Sequence, residues 1–295
     1  MPPSTDLPPA PTVASGLRWA ERFLSGWPEG VASPAVDAEV LVLCVLGVPR
    51  SSLYADADRA LSPPEARSLA DLVRRRAAGE PLQYLTGHQP FRHLDLAVGP
   101  GVLVPRPETE MVVERALALI GPVASPRVVD VGTGSGAIAL SVAFECPSAS
   151  VWASDISSEA LGWARRNAAA HGLARVTFVE GDLLSPLPEW LLGSVDLVVA
   201  NPPYLSSAAL EAAAPDVRDH EPVVALVSGP TGLEVPSRVV AAAHAWLRPG
   251  GWLLMETWPG QAEALVELLE GSYGEVAARP DLAGSLRMVE GRRPA

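Results

Sequence analysis

A short apolar run that breaks into closely spaced glycines and resumes as a helical pattern commits a chain to a strand–loop–helix unit. This sequence carries one at Val128-Val129-Asp130-Val131-Gly132-Thr133-Gly134-Ser135-Gly136. The spacing predicts a strand over 127–131 and a helix over 136–144. A strand feeding directly into a helix belongs to a parallel sheet, since parallel neighbours need a crossover connection. The same alternation continues. Strands are expected at 151–154, 176–179, 195–200 and 252–255, with helices at 158–170, closed by His171-Gly172, and 234–247, stopped by Pro249-Gly250-Gly251. Together these imply an α/β fold, a mostly parallel sheet covered by helices on both faces.

The first part of the chain differs. Residues 1–12 are Pro-rich and read as a disordered tail. From residue 13 to 86 the pattern is helical, with a stripe at Leu17, Ala20, Phe23 and Leu24 and a more apolar helix ending at Gly47. Ser62 before Pro63-Pro64 is a helix start, with proline in the first turn. Arg74-Arg75-Arg76 then suits a solvated helix C-terminus. Residues 87–110 read as a β-hairpin linker, carried by the β-prone stretch 98–104 with Gly99-Pro100-Gly101 inside it. Residues 111–295 form the α/β domain.

Hydrophobic residues make up 48% and charged residues 19% of 295, so global disorder is excluded. The two cysteines, Cys44 and Cys146, have no metal-ligand spacing and read as buried thiols in a reducing compartment. The N-terminus lacks the order of a signal peptide, and residues 40–48 are far short of the roughly 20 needed to span a bilayer. The expectation is a soluble cytoplasmic protein without bound metal. All five histidines are scattered and read as structural; Trp19, Trp163 and Trp246 read as packing residues on helices.

Three consecutive strand ends point to a nucleotide-like ligand. The loop Gly132, Thr133, Gly134, Ser135, Gly136 is G-x-G-x-G, not the G-x-G-x-x-G of dinucleotide binding. Asp155 ends the next strand, where an acid accepts hydrogen bonds from ribose hydroxyls. Asp182, after Gly181, can take an adenine amine while Leu183 packs on the ring. Asp130 either orients the loop or lies near a methionine ammonium. The set fits S-adenosylmethionine better than NAD.

The fourth strand of the alternation runs into Asn201-Pro202-Pro203-Tyr204. Ligands in open parallel sheets bind beyond the carboxyl ends of strands, so this segment should face the cofactor. Its prolines keep the backbone extended. The Asn201 side-chain oxygen and the Pro202 carbonyl then offer two acceptors for a planar NH2 group, with Tyr204 against its flat face. An amide or aromatic amine is a poor nucleophile, so the site must supply placement and stabilise positive charge on nitrogen.

These residues together resemble the HemK/PrmC family of protein glutamine methyltransferases, over about residues 15–290. The helical part resembles the family at Asp37-Ala38-Glu39, Val45-Leu46-Gly47 and residues 76–87. The most specific segment is Val104-Pro105-Arg106-Pro107-Glu108-Thr109-Glu110; His220-Glu221-Pro222, Gly229 and Gly232-Leu233 also match. The resemblance implies a class I S-adenosylmethionine-dependent methyltransferase fold, Rossmann-like, plus a small N-terminal helical bundle domain that helps grip the substrate. It implies that Gly132–Gly136, Asp155, Leu183 and Asn201 contact S-adenosylmethionine, and that Asn201, Pro202, Pro203 and Tyr204 hold the glutamine amide of a Gly-Gly-Gln loop in class-one peptide chain release factors. Arg106 is expected to brace its segment beside the cofactor site. Val227, Ser228 and Trp258 depart from the family pattern, outside the motifs assigned to chemistry.

Other readings use the same parts. An Asn-Pro-Pro-Tyr site also serves an adenine amine in nucleic acid, and a ribosomal-protein glutamine is a related substrate. A net charge of −12, all 22 basic residues being arginine, opposes direct nucleic-acid binding. A non-catalytic module with this fold would not need both the glycine loop and Asn201–Tyr204, and the glycine spacing disfavours an NAD oxidoreductase.

Overall fold

The structure is a computed structural model that describes residues 7–27 and 31–295. The described residues divide into two compact units. One reaches to His88 and takes in Ala213–His220; the other comprises Gln89–Ala212 and Glu221–Ala295.

The first unit is helical: α1 (Val13–Ser25), α2 (Pro34–Leu46), α3 (Ser52–Ala55), α4 (Pro63–Ala77) and α5 (Leu82–Thr86). Helix α1 buries Val13, Gly16, Trp19, Ala20, Phe23 and Leu24, one stripe at helical spacing. Of the tail expected over 1–12, residues 1–6 lie outside the described residues. The rest is held in place: Leu7 packs on this unit's core, Pro11 O accepts from Leu61 N at 2.8 Å, and Thr12 bridges Ala60 and caps α1. Cys44 is exposed and Cys146 partly so, correcting the expectation of buried thiols. The buried stripe of α2 is Asp37, Ala38, Leu41 and Val42, and Cys44 lies off it.

Helix α4 starts as its sequence requires. Glu65 N donates to Ser62 Oγ at 3.4 Å, and Ser62 N donates back to Glu65 Oε2 at 2.7 Å, a capping box. Hydrogen bonds from Arg59 and from Ser62 hold the Glu65 carboxyl down at about 2. Ser62→Ala should therefore lower stability by about 1 kcal/mol, with Ser62→Asp largely sparing it. Urea denaturation checks this, and an unmoved midpoint in Ser62→Ala would show the cap to be idle. The arginine triplet does not behave as a uniformly solvated end. Arg76 is buried, and its Nε donates to Asp37 Oδ2 at 2.7 Å.

The second unit opens with a hairpin, β1 (His88–Phe91) and β2 (Leu94–Ala97), and helix α6 (Pro107–Ile120). The hairpin thus precedes the stretch 98–104 expected to form it, and residues 107–110, read as linker, are the first turn of α6. Val98 and Val102 are buried singly in a loop against Ala160 and Trp163, whose Nε1 donates to Pro100 O at 3.2 Å.

The alternating part follows: β3 (Arg127–Val131), α7 (Ala137–Glu145), β4 (Ser150–Asp155), α8 (Ser158–Ala170), β5 (Thr177–Glu180) and β6 (Val195–Ala200). Short elements come next: β7 (Leu205–Ser206), α9 (Ser207–Glu211), α10 (Pro215–Arg218), which belongs to the first unit, α11 (Val223–Leu226) and β8 (Val227–Gly229). The chain ends with α12 (Glu234–Trp246), β9 (Leu247–Glu256), α13 (Ala262–Glu270), β10 (Gly274–Pro280) and β11 (Leu286–Arg292). The main sheet has the order β10-β11-β9-β6-β3-β4-β5. Its strands are parallel except β11, which is antiparallel to both β9 and β10.

Alternate residues of the central strands enter opposite cores. Val128, Leu197, Val199 and Leu254 pack on one face with residues of α6 and α7. Val129, Val131, Val198, Ala200, Leu253 and Met255 pack on the other with residues of α12 and α13. Every residue of β6 is buried, the mark of a strand covered on both sides. After β3 the chain builds outward through β4 and β5, then crosses back to place β6 on the other side of β3. Such a reversal leaves a crevice beyond the carboxyl ends of the two strands. No helix among the described residues is long and apolar enough to cross a membrane.

Candidate active site

The loop after β3 is shaped by Gly132, Gly134 and Gly136, at φ +72°, +57° and +87°. Gly136 is also sterically required, because an added Cβ would lie 2.9 Å from the Leu140 side chain. Gly132 N and Thr133 N donate to Ser154 O at 2.8 and 3.0 Å, tying the loop to β4. Behind it stands Asp130, fully buried. Its Oδ2 accepts from Thr133 Oγ1 at 2.7 Å and Ala139 N at 3.1 Å, whereas Oδ1 has no protein partner. Asp130 therefore orients the loop. Burial raises its carboxyl to about 7, against those two hydrogen bonds.

Asp155 ends β4 and grips the loop from the other side. Oδ2 accepts from Gly134 N at 2.8 Å and Oδ1 from Ser157 N at 2.9 Å, and burial raises its carboxyl. Each oxygen retains acceptor capacity. After β5, Gly181 leads to Asp182 and to Leu183 at φ +52°. A bulky residue in that region is strained, and such strain gathers at binding sites. Asp182 forms an ion pair with Arg238 of α12.

Asn201 follows β6. Its Nδ2 donates to Thr109 Oγ1 at 3.2 Å, and Thr109 Oγ1 donates to Glu256 Oε2 at 2.7 Å. Tyr204 O accepts from Gln261 Nε2 at 2.9 Å. The Tyr204 ring lies 6.1 Å from that of Trp258, and burial pushes its hydroxyl up to about 12. The segment 104–110 is pinned by buried Glu221, which accepts from Val104 N at 3.0 Å and pairs with Arg106.

These parts surround one cavity of about 220 Å³. Gly132, Thr133, Gly134, Ser135 and Asp155 line one side of it; Asp182, Leu183, Asn201 and Pro203 also line it. Of the sequence-derived site residues, Gly136, Pro202 and Tyr204 do not form its wall: Gly136 shapes the loop, and Pro202 is buried behind the segment.

Comparison with known proteins identifies the family. The PrmC N-terminal domain model matches residues 16–87 and the methyltransferase small domain model residues 109–216. A release factor glutamine methyltransferase of Geobacter sulfurreducens is 40% identical over 289 residues, covering 98% of this chain and 99% of that protein. One from Moorella thermoacetica is 46% identical over 276 residues, covering 92% and 95%. The chain belongs to the release factor glutamine methyltransferase family. Among solved structures, a T. thermophilus 16S rRNA methyltransferase shares the fold, with TM-score 0.52 and 20% identity over 70% of this chain and 49% of that one.

In this family member several groups in and around the site escape a reading of local sequence. Thr109 was visible only as part of the 104–110 segment, and Glu256, Arg238 and Gln261 carry no motif of their own. Their partners lie 147, 56 and 57 residues away in sequence. The three departures also bear on the site more directly than expected. Val227 lines the cavity, Ser228 Oγ accepts from Val235 N of α12 at 2.7 Å, and the Trp258 ring lies 6.1 Å from that of Tyr204 with the Arg287 guanidinium over it at 5.3 Å.

Proposed function

We propose that the protein methylates the side-chain amide nitrogen of the glutamine in the Gly-Gly-Gln loop of class-one peptide chain release factors, using S-adenosylmethionine. The observation that carries this reading is the placement of Asn201-Pro202-Pro203-Tyr204 at the end of β6, across the sheet's reversal from the Gly132–Gly136 loop, with Asn201 and Pro203 on the same cavity as Asp155 and Leu183. The donor set fits the cofactor: a glycine loop open to close approach, a buried carboxylate oxygen of Asp130 without a protein partner, the Asp155 carboxylate, and apolar Leu183. When bound, S-adenosylmethionine supplies an electrophilic sulfonium methyl. The Gly132–Gly136 backbone would hold its amino-acid end, Asp155 its ribose, and Asp182 with Leu183 its base.

Asn201 Oδ1 and the Pro202 carbonyl act as acceptors that orient the glutamine NH2, and Tyr204 covers its face. Both acceptors favour the positive charge that grows on nitrogen during transfer. The relatives' names support the release-factor substrate, and the T. thermophilus structure was solved with AdoMet and guanosine. The helical unit matched at 16–87 would help grip the protein substrate, which would place the reaction in the cytoplasm. Mass spectrometry of a purified release factor after incubation with enzyme and S-adenosylmethionine tests this. One added methyl on the loop glutamine is expected. Cofactor binding without methylation would sink the release-factor assignment and leave a methyltransferase of another amide or amine.

A further inference from the structure

An asparagine amide can face a substrate with either end, and the two ends do opposite things: Oδ1 accepts and Nδ2 donates. For Asn201 the choice is made by Thr109 and, beyond it, Glu256. Nδ2 donates to Thr109 Oγ1 at 3.2 Å, and Thr109 Oγ1 lies 2.7 Å from Glu256 Oε2. A hydroxyl has one hydrogen. An ionised Glu256 can only accept, so it takes that hydrogen. Thr109 is left with lone pairs toward Asn201, and only Nδ2 can meet them. A flipped amide would set two acceptors against each other with no hydrogen between. Thr109 and Glu256 are 3% and 2% exposed, so water cannot readily relieve the mismatch.

We propose that Thr109 and Glu256 are positioning residues that lock the Asn201 amide with Oδ1 toward the substrate nitrogen. The proposal rests on the reading of Asn201 as an acceptor for a substrate amide. It also makes the lock sensitive to pH. Burial raises the Glu256 carboxyl to about 7, opposed by the Thr109 hydrogen bond; Glu108 raises it further, and Arg287 and Arg106 lower it. The Tyr204 hydroxyl, itself raised, is the other titratable group that feels it. Protonated Glu256 can donate, which frees the Thr109 hydrogen to serve either orientation of the amide. The lock therefore holds above about pH 7 and loosens below it.

The chain has only two asparagines, Asn167 and Asn201. Enzyme labelled with ¹⁵N in asparagine side chains thus shows two NH2 pairs. Asn167 is an internal reference, because its Nδ2 donates to Ala97 O at 3.0 Å and Ser135 O at 2.9 Å. The Asn201 pair should titrate with a midpoint near 7 while the Asn167 pair stays still. Glu256→Gln and Thr109→Val should each abolish that titration, and Thr109→Ser should keep it. With substrate, Thr109→Val should lower kcat by up to about 100-fold and flatten the acid limb of its pH profile, with the cofactor's KM little changed. A pH-independent Asn201 pair would overturn the proposal. So would a titration that survives Glu256→Gln, which would instead trace to Asp130 beside the glycine loop. The spectrum needs no substrate, so the lock stands or falls on it even where release-factor methylation fails.

Discussion

Asn201→Ala should lower the single-turnover rate of methyl transfer by about 10²- to 10³-fold, with cofactor affinity changed far less. The physical reason is the weakness of the nucleophile. An amide nitrogen has its lone pair delocalised, so the reaction depends on holding that nitrogen in line and on stabilising the charge it acquires. In the proposed mechanism Asn201 Oδ1 is the side-chain acceptor for both tasks, its Nδ2 being committed to Thr109. Removing one preorganised polar group at a site of developing charge typically costs about 3–4 kcal/mol, which gives the stated range. Asn201→Asp makes a sharper comparison. It keeps an acceptor toward the substrate but places a carboxylate against Thr109, whose single hydrogen then has two claimants. Its rate should fall between wild type and alanine. Rapid-quench kinetics with labelled cofactor would measure all three, and an undiminished rate in Asn201→Ala would remove this residue from the chemistry.

What could be read from the sequence follows from how local the chemistry is. The Gly132–Gly136 turn and the stiff Asn201–Tyr204 segment are set by residues within the segment itself, by φ preference and by proline. Their position at the ends of β3 and β6 follows from the alternation of strands and helices. The groups that tune the site come from elsewhere. Glu256 ends β9, Thr109 lies in the first turn of α6, and Glu221 reaches the 104–110 segment across 115 residues of chain. No periodicity announces such pairs. The hairpin of β1 and β2 was displaced for a related reason: Val98 and Val102 look like strand residues but are buried one at a time under Trp163. The antiparallel strands β10 and β11 were missed because charged residues interrupt their apolar pattern. Glu290 is one of them, and it is buried only because Arg115 and Arg279 both pair with it.

Arg76→Ala should destabilise the helical unit by about 3–5 kcal/mol, although the residue sits in a run of three arginines that looks like a solvated helix end. Arg76 Nε donates to Asp37 Oδ2 at 2.7 Å and its Nη1 donates to Glu80 O at 3.0 Å, while Asp216 approaches at 3.9 Å. The Arg76 and Asp37 side chains are 7% and 10% exposed. Removing the guanidinium leaves Asp37 buried without that partner, and the cost comes from the stranded charge more than from the lost attraction. Arg75 gives the contrast. Its pairing with Glu80 at 2.6 Å is half exposed, and such pairs contribute roughly 0–1 kcal/mol. Hydrogen exchange followed by mass spectrometry can read peptides from residues 13–88 of the intact enzyme separately from the rest. Arg76→Ala should collapse protection there, and Arg75→Ala should barely alter it. The double variant Arg76→Met, Asp37→Leu removes both charges at similar volume and should recover most of the protection, because the pair is held together chiefly by the penalty of breaking it. Equal losses in Arg76→Ala and Arg75→Ala would show that burial of this ion pair does not govern the unit's stability.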